Sequence, residues 1–184
     1  MEHIGRYQTS LGQVTIYADA FAVKAAFFSE PGCWAGSDER SFAERPRLGV
    51  QTTRQANGLP AGDSASLPEN RSALTDCAAG QICEYLAGKR REFDLPLQPD
   101  GTPFQQRVWS GMQRIPYGQV RSYGELASMI GYPRAARAVG SACGANRILL
   151  LIPCHRVVAK NGIGGYGGNI ALKRRLLSLE GVIY

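Results

Sequence analysis

The chain is 184 residues long, 44% hydrophobic and 20% charged, enough for one generous domain or two small ones sharing an interface, and too apolar for wholesale disorder. No apolar run approaches the roughly 20 residues that span a bilayer, and the start MEHIGRYQTSLGQ has neither the basic nor the apolar region of a secretory signal; a cytoplasmic protein is expected, nuclear if the source has a nucleus. The net charge of +6 is unevenly shared, with 10 Lys+Arg against 12 Asp+Glu over residues 1–96 and 11 against 3 over residues 97–184, which suits a polyanion partner for the second half or merely a basic surface.

In chain order, GRYQTSLGQVTIYADAFAVKAAFFS reads as two or three short antiparallel strands. The alternation Val14-Thr15-Ile16-Tyr17 and the apolar set Phe21, Val23, Ala25, Phe27 carry that reading. Residues 30–69 turn polar and rich in Gly, Pro, Ser and Ala, a long loop or insertion well beyond ordinary loop length. An amphipathic helix is expected over 72–87, with Leu74, Ala78, Ile82, Tyr85 and Leu86 on one side and Gly88 as its stop. EFDLPLQPDGTP then reads as a short strand and a linker, which places a boundary near Pro96 between an N-terminal domain (1–96) and a C-terminal one (97–184).

The second half is more sharply punctuated. Thr102-Pro103-Phe104-Gln105 is a capping box with Pro at the first helical position, opening a helix that buries Phe104, Val108, Trp109 and Met112. Ser122-Tyr123-Gly124-Glu125 is a second capping box, opening a helix that buries Leu126, Met129 and Ile130 and stops at Gly131. Pro133 starts the next helix, PRAARAVGSACGAN, with Arg134 and Arg137 on one face. The pair is a helix-turn-helix candidate, and equally an Ala-rich helix packed closely on its neighbour. The glycine-rich loop 161–168 lacks the strand and lysine of a nucleotide-binding loop and reads as a pocket lining, with Tyr166 as its one large side chain. A final helix over 170–180 is capped by Gly181.

The five cysteines (33, 77, 83, 143 and 154) are odd in number and form no C-x-x-C pair, so neither a disulfide framework nor a zinc finger is suggested. Cys154 differs from the rest because His155, one of only two histidines, follows it in IPCHRVV. A thiol of ordinary pKa needs a base or positive surroundings to act as a nucleophile. Neighbours on an extended strand point to opposite faces, so a direct Cys154–His155 bond requires a bend at Pro153 or a bridging water. The imidazole in turn needs an orienting acceptor. Of Asp100, Glu125 and Glu180, the carboxylates of the basic half, Glu125 is taken by its capping box and Glu180 is the best candidate. These residues alone leave two readings open, a reactive Cys154 and a buried structural thiol.

The segment from Phe104 to Gly181 resembles the methylated-DNA–protein-cysteine methyltransferases (O6-alkylguanine-DNA alkyltransferases). The resemblance is carried by Pro153-Cys154-His155-Arg156-Val157, Arg137-Ala138-Val139-Gly140, Asn146, Gly165-Tyr166-Gly167-Gly168 and Leu176-Leu177…Glu180-Gly181, in order and near the family's spacing. The N-terminal half fits only loosely. The expected class is α+β: a small antiparallel sheet with a helix, ribonuclease H-like, then a helical domain with a helix-turn-helix, winged-helix-like. The implied function is DNA repair by irreversible, single-turnover transfer of the alkyl group from O6-alkylguanine, and O4-alkylthymine by extension, to the protein's own Cys154 after base flipping.

The resemblance also implies roles. Cys154 is the acceptor, His155 its water-mediated base, Glu180 the imidazole's support and Asn146 a brace for the active-site turn. Tyr123 crowds the rotating phosphate and gives a proton toward the departing guanine. Arg137 is the finger that fills the base stack, and Arg134, Ala135, Ala136 and Ser141 join it and Tyr123 against DNA. Tyr166, Gly165, Gly167, Val157 and Cys143 line the pocket. The implied partner is double-stranded DNA, met through its minor groove by a monomer, with no membrane contact. No cofactor is expected, and no zinc, because His3, Cys33, Cys77 and Cys83 are unhelpfully spaced. Arg147 stands where many relatives have Pro and Asn169 where Gly is common, changes that bear on the pocket mouth.

Overall fold

A computed structural model of the chain describes residues 1–29, 70–167 and 169–183. The long polar segment expected at 30–69 lies outside the described residues, as does Gly168 of the glycine-rich loop. The fold is mixed α+β, with a small antiparallel sheet followed by helices.

Strands β1 (His3–Thr9), β2 (Gly12–Ala18) and β3 (Val23–Ser29) form an antiparallel meander in the order β1-β2-β3. Val14 pairs with Phe28 and Ile16 with Ala26, and all four are buried. Phe21 does not belong to the apolar set. It sits in the β2–β3 turn, where Asp19 accepts hydrogen bonds from the amides of Phe21 (2.7 Å) and Ala22 (2.8 Å), and it is 82% exposed. Helix α1 (Ala73–Leu86) opens on a capping box between Ser72 and Thr75, packs Ala78, Ile82 and Tyr85 into the core, and ends before Gly88, whose φ of +72° is left-handed.

The free edge of β3 is used by the second half of the chain. The Val23 amide donates to Pro96 O (2.8 Å) and Gln98 N to Val23 O (3.0 Å). Further along, Ala26 N donates to Arg147 O (2.9 Å) and Leu149 N to Ala26 O (3.0 Å). The short strand expected in EFDLPLQPDGTP reduces to a single parallel bridge, Val23 to Leu97. One buried cluster runs from Val14 and Ile16 through Tyr85 and Trp109 to Cys154 and Leu176.

Helix α2 (Pro103–Gln113) starts at the Thr102–Gln105 capping box, and α3 (Tyr123–Met129) at the Ser122–Glu125 box. Gly111 lets these two helices approach: a Cβ there would lie 2.6 Å from Ile130 Cγ2 and 3.0 Å from Leu126 Cδ1. Met129, expected inside, is 45% exposed, while Leu126 and Ala127 carry the α3 contact. Helix α4 (Ala136–Gly144) begins three residues later than Pro133 suggests. Tyr132 O accepts from the Ala135 amide (2.9 Å), so Pro133 and Arg134 lie in a turn and Arg134 does not share a helical face with Arg137. The buried Trp109 indole donates to Ala142 O (2.9 Å) and ties α2 to α4. Two-residue strands β4 (Arg121–Ser122) and β5 (Val157–Val158) pair in parallel, and α5 (Ile170–Leu179) closes the structure.

Candidate active site around Cys154

The run Ile148–Ile152 is a buried turn. Ile152 N donates to Ile148 O (3.0 Å), and Leu150 holds a left-handed φ of +70°, a conformation that costs a non-glycine residue about 1–3 kcal/mol and persists only where its surroundings enforce it. Asn146 supplies that enforcement. Its Oδ1 accepts from Ile148 N (3.0 Å), and its Nδ2 donates to Ile152 O (3.0 Å) and to Cys154 Sγ (3.2 Å). Pro153 then bends the chain into a single 3-10 turn, Cys154–Arg156. The imidazole of His155, the second residue of that turn, reaches the end of α5 through Nε2.

There, Glu180 caps α5 and is buried. Oε1 lies 2.7 Å from His155 Nε2 and accepts from Arg156 Nε (3.0 Å) and the Tyr85 hydroxyl. Oε2 accepts from Arg156 Nε (3.0 Å) and Gly118 N (2.8 Å). Burial alone would raise the Glu180 carboxyl, but the donors His155, Tyr85 and Gly118 overcome it and hold it at about 2. Burial pushes the His155 imidazole down from its ordinary value against the pull of Glu180. An ionised carboxylate is acceptor-only, so the proton of the neutral ring sits on Nε2 and the Nδ1 lone pair is left over. Nδ1 is buried and has no hydrogen-bond partner among the described residues.

The Cys154 thiol is raised by burial, opposed by the Asn146 hydrogen bond and by the Lys173 charge. It rests protonated and needs a base to react. Lys173 is fully buried, with Nζ donating to Val157 O (2.6 Å), Ile163 O (2.7 Å) and Gly165 O (3.0 Å). Burial lowers its ammonium to about 8. It pins the glycine-rich loop under the site. Gly164 in that loop has φ +71°, and a Cβ there would lie 2.9 Å from Ala159 N and 3.0 Å from Tyr123 Oη, so only glycine fits. Tyr123 Oη donates to Gly165 O at 3.4 Å.

The structure thus brings Cys154, Asn146, His155 and Glu180 into one connected cluster. Tyr123, Cys143, Tyr166 and Val157 surround it: burial, and then repulsion from Cys154 when ionised, raise Tyr166 and Cys143, and burial and then repulsion from an ionised Cys143 raise Tyr123. The Tyr166 hydroxyl is buried near Cys154 and has no hydrogen-bond partner among the described residues. Gly165 is exposed and Gly167 half-buried on the loop. Arg137 is exposed in the first turn of α4, Arg134 is exposed and Ala135 half-buried in the turn before it, and Ala136 opens the helix; Ser141 Oγ donates to Arg137 O (3.3 Å). None of these five is hydrogen-bonded to the Cys154 cluster among the described residues.

Three members of the site take no role from the sequence alone. Arg156 belonged to the quoted motif but had no role. Lys173 carried a signal, a cation three and four residues before the core positions Leu176 and Leu177. Tyr85 reads from the sequence as a core residue of its helix, and its signal is the hydroxyl, which must find a partner when buried.

The chain is similar to known proteins over this region. Residues 103–182 match the family described as the 6-O-methylguanine DNA methyltransferase, DNA binding domain. The methylated-DNA–protein-cysteine methyltransferase of Mycobacterium tuberculosis is 55% identical over 104 residues, 56% of this chain and 63% of that protein; the alignment therefore spans somewhat under two thirds of the relative. The Mycobacterium leprae protein of the same name is 50% identical over 115 residues, 62% of this chain and 68% of that protein. Similarity of structure extends further. The crystal structure of Mycobacterium tuberculosis O6-methylguanine methyltransferase superposes with a TM-score of 0.73 at 35% identity, covering 98% of this chain and 93% of that one. The structure of Mycobacterium tuberculosis OGT in complex with DNA gives 0.72 at 35% identity, covering 97% and 93%. With its fold shared over nearly the whole length and its Cys154 segment inside the matched region, the chain belongs to the methylated-DNA–protein-cysteine methyltransferase family.

Proposed function

We propose that this protein repairs alkylated DNA by direct reversal, moving the alkyl group of O6-alkylguanine, and of O4-alkylthymine, onto Cys154. The observation that carries the reading is a buried thiol held by Asn146 beside a neutral His155 whose Nε2 is anchored on Glu180. Through a water, Nδ1 of His155 takes the thiol proton. The thiolate sulfur attacks the alkyl carbon in line, the S–C bond forms, and the electron pair of the breaking C–O bond stays on guanine. Tyr123 donates a proton to the departing base and is reprotonated, through water, by the proton that His155 took from the thiol, so thiol plus O6-alkylguanine becomes thioether plus guanine. Thiol exchange cleaves disulfides and leaves a thioether intact, so each molecule acts once. No step calls for a cofactor.

The target atom lies inside the duplex, so the base must leave the stack at a cost of a few kcal/mol. The small residues Ala135, Ala136 and Ser141 allow α4 a close approach to the minor groove. Arg137 fills the gap in the stack, and Arg134 and the basic second half draw in the phosphates. The flipped base is received by Tyr166, Gly165, Gly167, Val157 and Cys143. The protein acts as a monomer, with residues 1–96 a ribonuclease H-like unit and 97–184 a winged-helix-like one. The three-strand meander followed by α1, and the α3–α4 pair flanked by β4 and β5, support these descriptions.

Incubation with excess duplex carrying O6-methylguanine, followed by mass measurement of the intact chain, tests the reading. The expected result is a gain of one CH2 per chain, mapped to Cys154, with guanine restored in the DNA. An unchanged mass, or a methyl that persists in Cys154→Ala, would falsify it. Arg137→Ala is expected to slow reaction with the duplex roughly tenfold or more while barely changing reaction with the free modified base. Equal losses on both substrates would remove Arg137 from the finger role.

A further inference from the structure

Tyr85 lies in the last turn of α1, 95 residues from Glu180, and is fully buried. Its ring is held by Phe93 (centroids 5.2 Å apart) and edge-on by Tyr117 (5.8 Å). Its hydroxyl donates to Glu180 Oε1, the oxygen that also receives His155 Nε2, and lies 3.4 Å from that nitrogen. The other ionisable groups around the imidazole pull in known directions: Glu180 favours a second proton on the ring, and Arg156 and Lys173 disfavour it. Tyr117 faces Glu180 and Arg156, and Tyr166 lies on the Cys154 side near Tyr85. A carboxylate whose charge is spread over several donors attracts any one proton less strongly.

We infer that the Tyr85 hydroxyl is a positioning group for the alkyl-acceptor site, sharing Oε1 of Glu180 with His155 so that the imidazole stays neutral, with its proton on Nε2 and Nδ1 turned to the thiol. This rests on the reading of His155 as the base. The N-terminal half of the chain then supplies part of the active site, because α1 precedes the Cys154 segment by 67 residues in the sequence and meets it only in the fold. Without the hydroxyl, Oε1 serves the imidazole more strongly, the ring binds a second proton at higher pH, and the fraction of molecules with a competent base falls near neutrality.

Tyr85→Phe keeps the ring and removes only the hydroxyl. In full-length protein labelled with 15N at its two histidines, His3 and His155, the His155 titration is expected to move up by roughly one pH unit. The acid limb of the methyl-transfer rate against pH should move with it, so the rate falls several-fold near neutrality and recovers at alkaline pH. A titration and a profile that superpose on those of the unaltered protein overturn the inference, as does a uniform loss of rate with no shift. If Tyr85→Phe does not fold, the unaltered protein still decides: a slowly exchanging Tyr85 hydroxyl proton with a nuclear Overhauser contact to the His155 ring supports the inference, and rapid exchange without that contact overturns it. Failure of methyl transfer by the unaltered chain is a separate result, which strikes the reading of Cys154 and leaves the titration comparison to judge Tyr85.

Discussion

Glu180→Ala is expected to lose about 3–5 kcal/mol of folding stability, because it strands the buried Arg156 guanidinium without its counter-charge. Among the described residues, Ile115 O, 2.7 Å from Nη1, and the face of the Tyr117 ring remain beside that cation, neither of them a counter-charge. The same change leaves Gly118 N, the Tyr85 hydroxyl and His155 Nε2 without their acceptor. Alkyl transfer should fall about a hundredfold or more, the usual worth of a positioned general base, since the imidazole loses the carboxylate that fixes its tautomer. Glu180→Gln separates the two effects, retaining shape and part of the hydrogen bonding while losing the charge. Urea denaturation at several pH values checks the linkage. The folded carboxyl is depressed to about 2 against an unfolded value of about 4.3. The unfolded chain therefore binds more protons between those values, and stability rises with pH across that window. The contribution is fully present above about pH 4.3 and is lost as pH falls through about 2. Glu180→Gln should lack that slope; an unchanged slope would mean that another carboxylate carries it.

Lys173→Met is expected to uncouple the glycine-rich loop from α5. The thioether side chain matches the length of lysine but offers no donor to Val157 O, Ile163 O or Gly165 O. Val157 is buried, and its orphaned carbonyl alone costs about 1–3 kcal/mol. Ile163 and Gly165 are more accessible and can turn to water, so the loop that carries Tyr166 comes free and methyl transfer drops roughly tenfold or more. The pH dependence differs in window from that of Glu180. Burial depresses the folded ammonium to about 8 against an unfolded value of about 10.4. The unfolded state again binds more protons inside the window, so this contribution is fully present above about pH 10.4 and is lost as pH falls through about 8. Lys173→Met should flatten the stability curve there, and hydrogen exchange at Gly164 and Gly165 should quicken. Unchanged exchange would show that the loop is held by other contacts, such as that of Tyr123 Oη with Gly165 O.

Much of the second half was legible because its signals are local. The capping boxes at Thr102 and Ser122 each place a side chain within three residues of the amide it serves, and Gly131 and Gly181 stop helices through their own left-handed backbone. The start of α4 misled because proline suits the first turn of a helix and a tight turn equally well. The Tyr132 carbonyl chose the turn. Phe21 misled because apolar character says nothing about burial at a hairpin tip, where Asp19 claims the backbone amides.

By itself, the sequence determined the order of elements, the singular position of Cys154 beside His155 and, by elimination among few acids, the place of Glu180. Each follows from neighbours within a helical turn or from counting scarce residue types. Only the tertiary structure decided that Asn146 touches the thiol, that Lys173 holds the loop by three carbonyls and that Tyr85 reaches the carboxylate of Glu180. The physical reason is that a buried donor must find some acceptor, while its residue type does not say which. That choice is made when distant segments are packed together, 95 residues apart in the case of Tyr85 and Glu180.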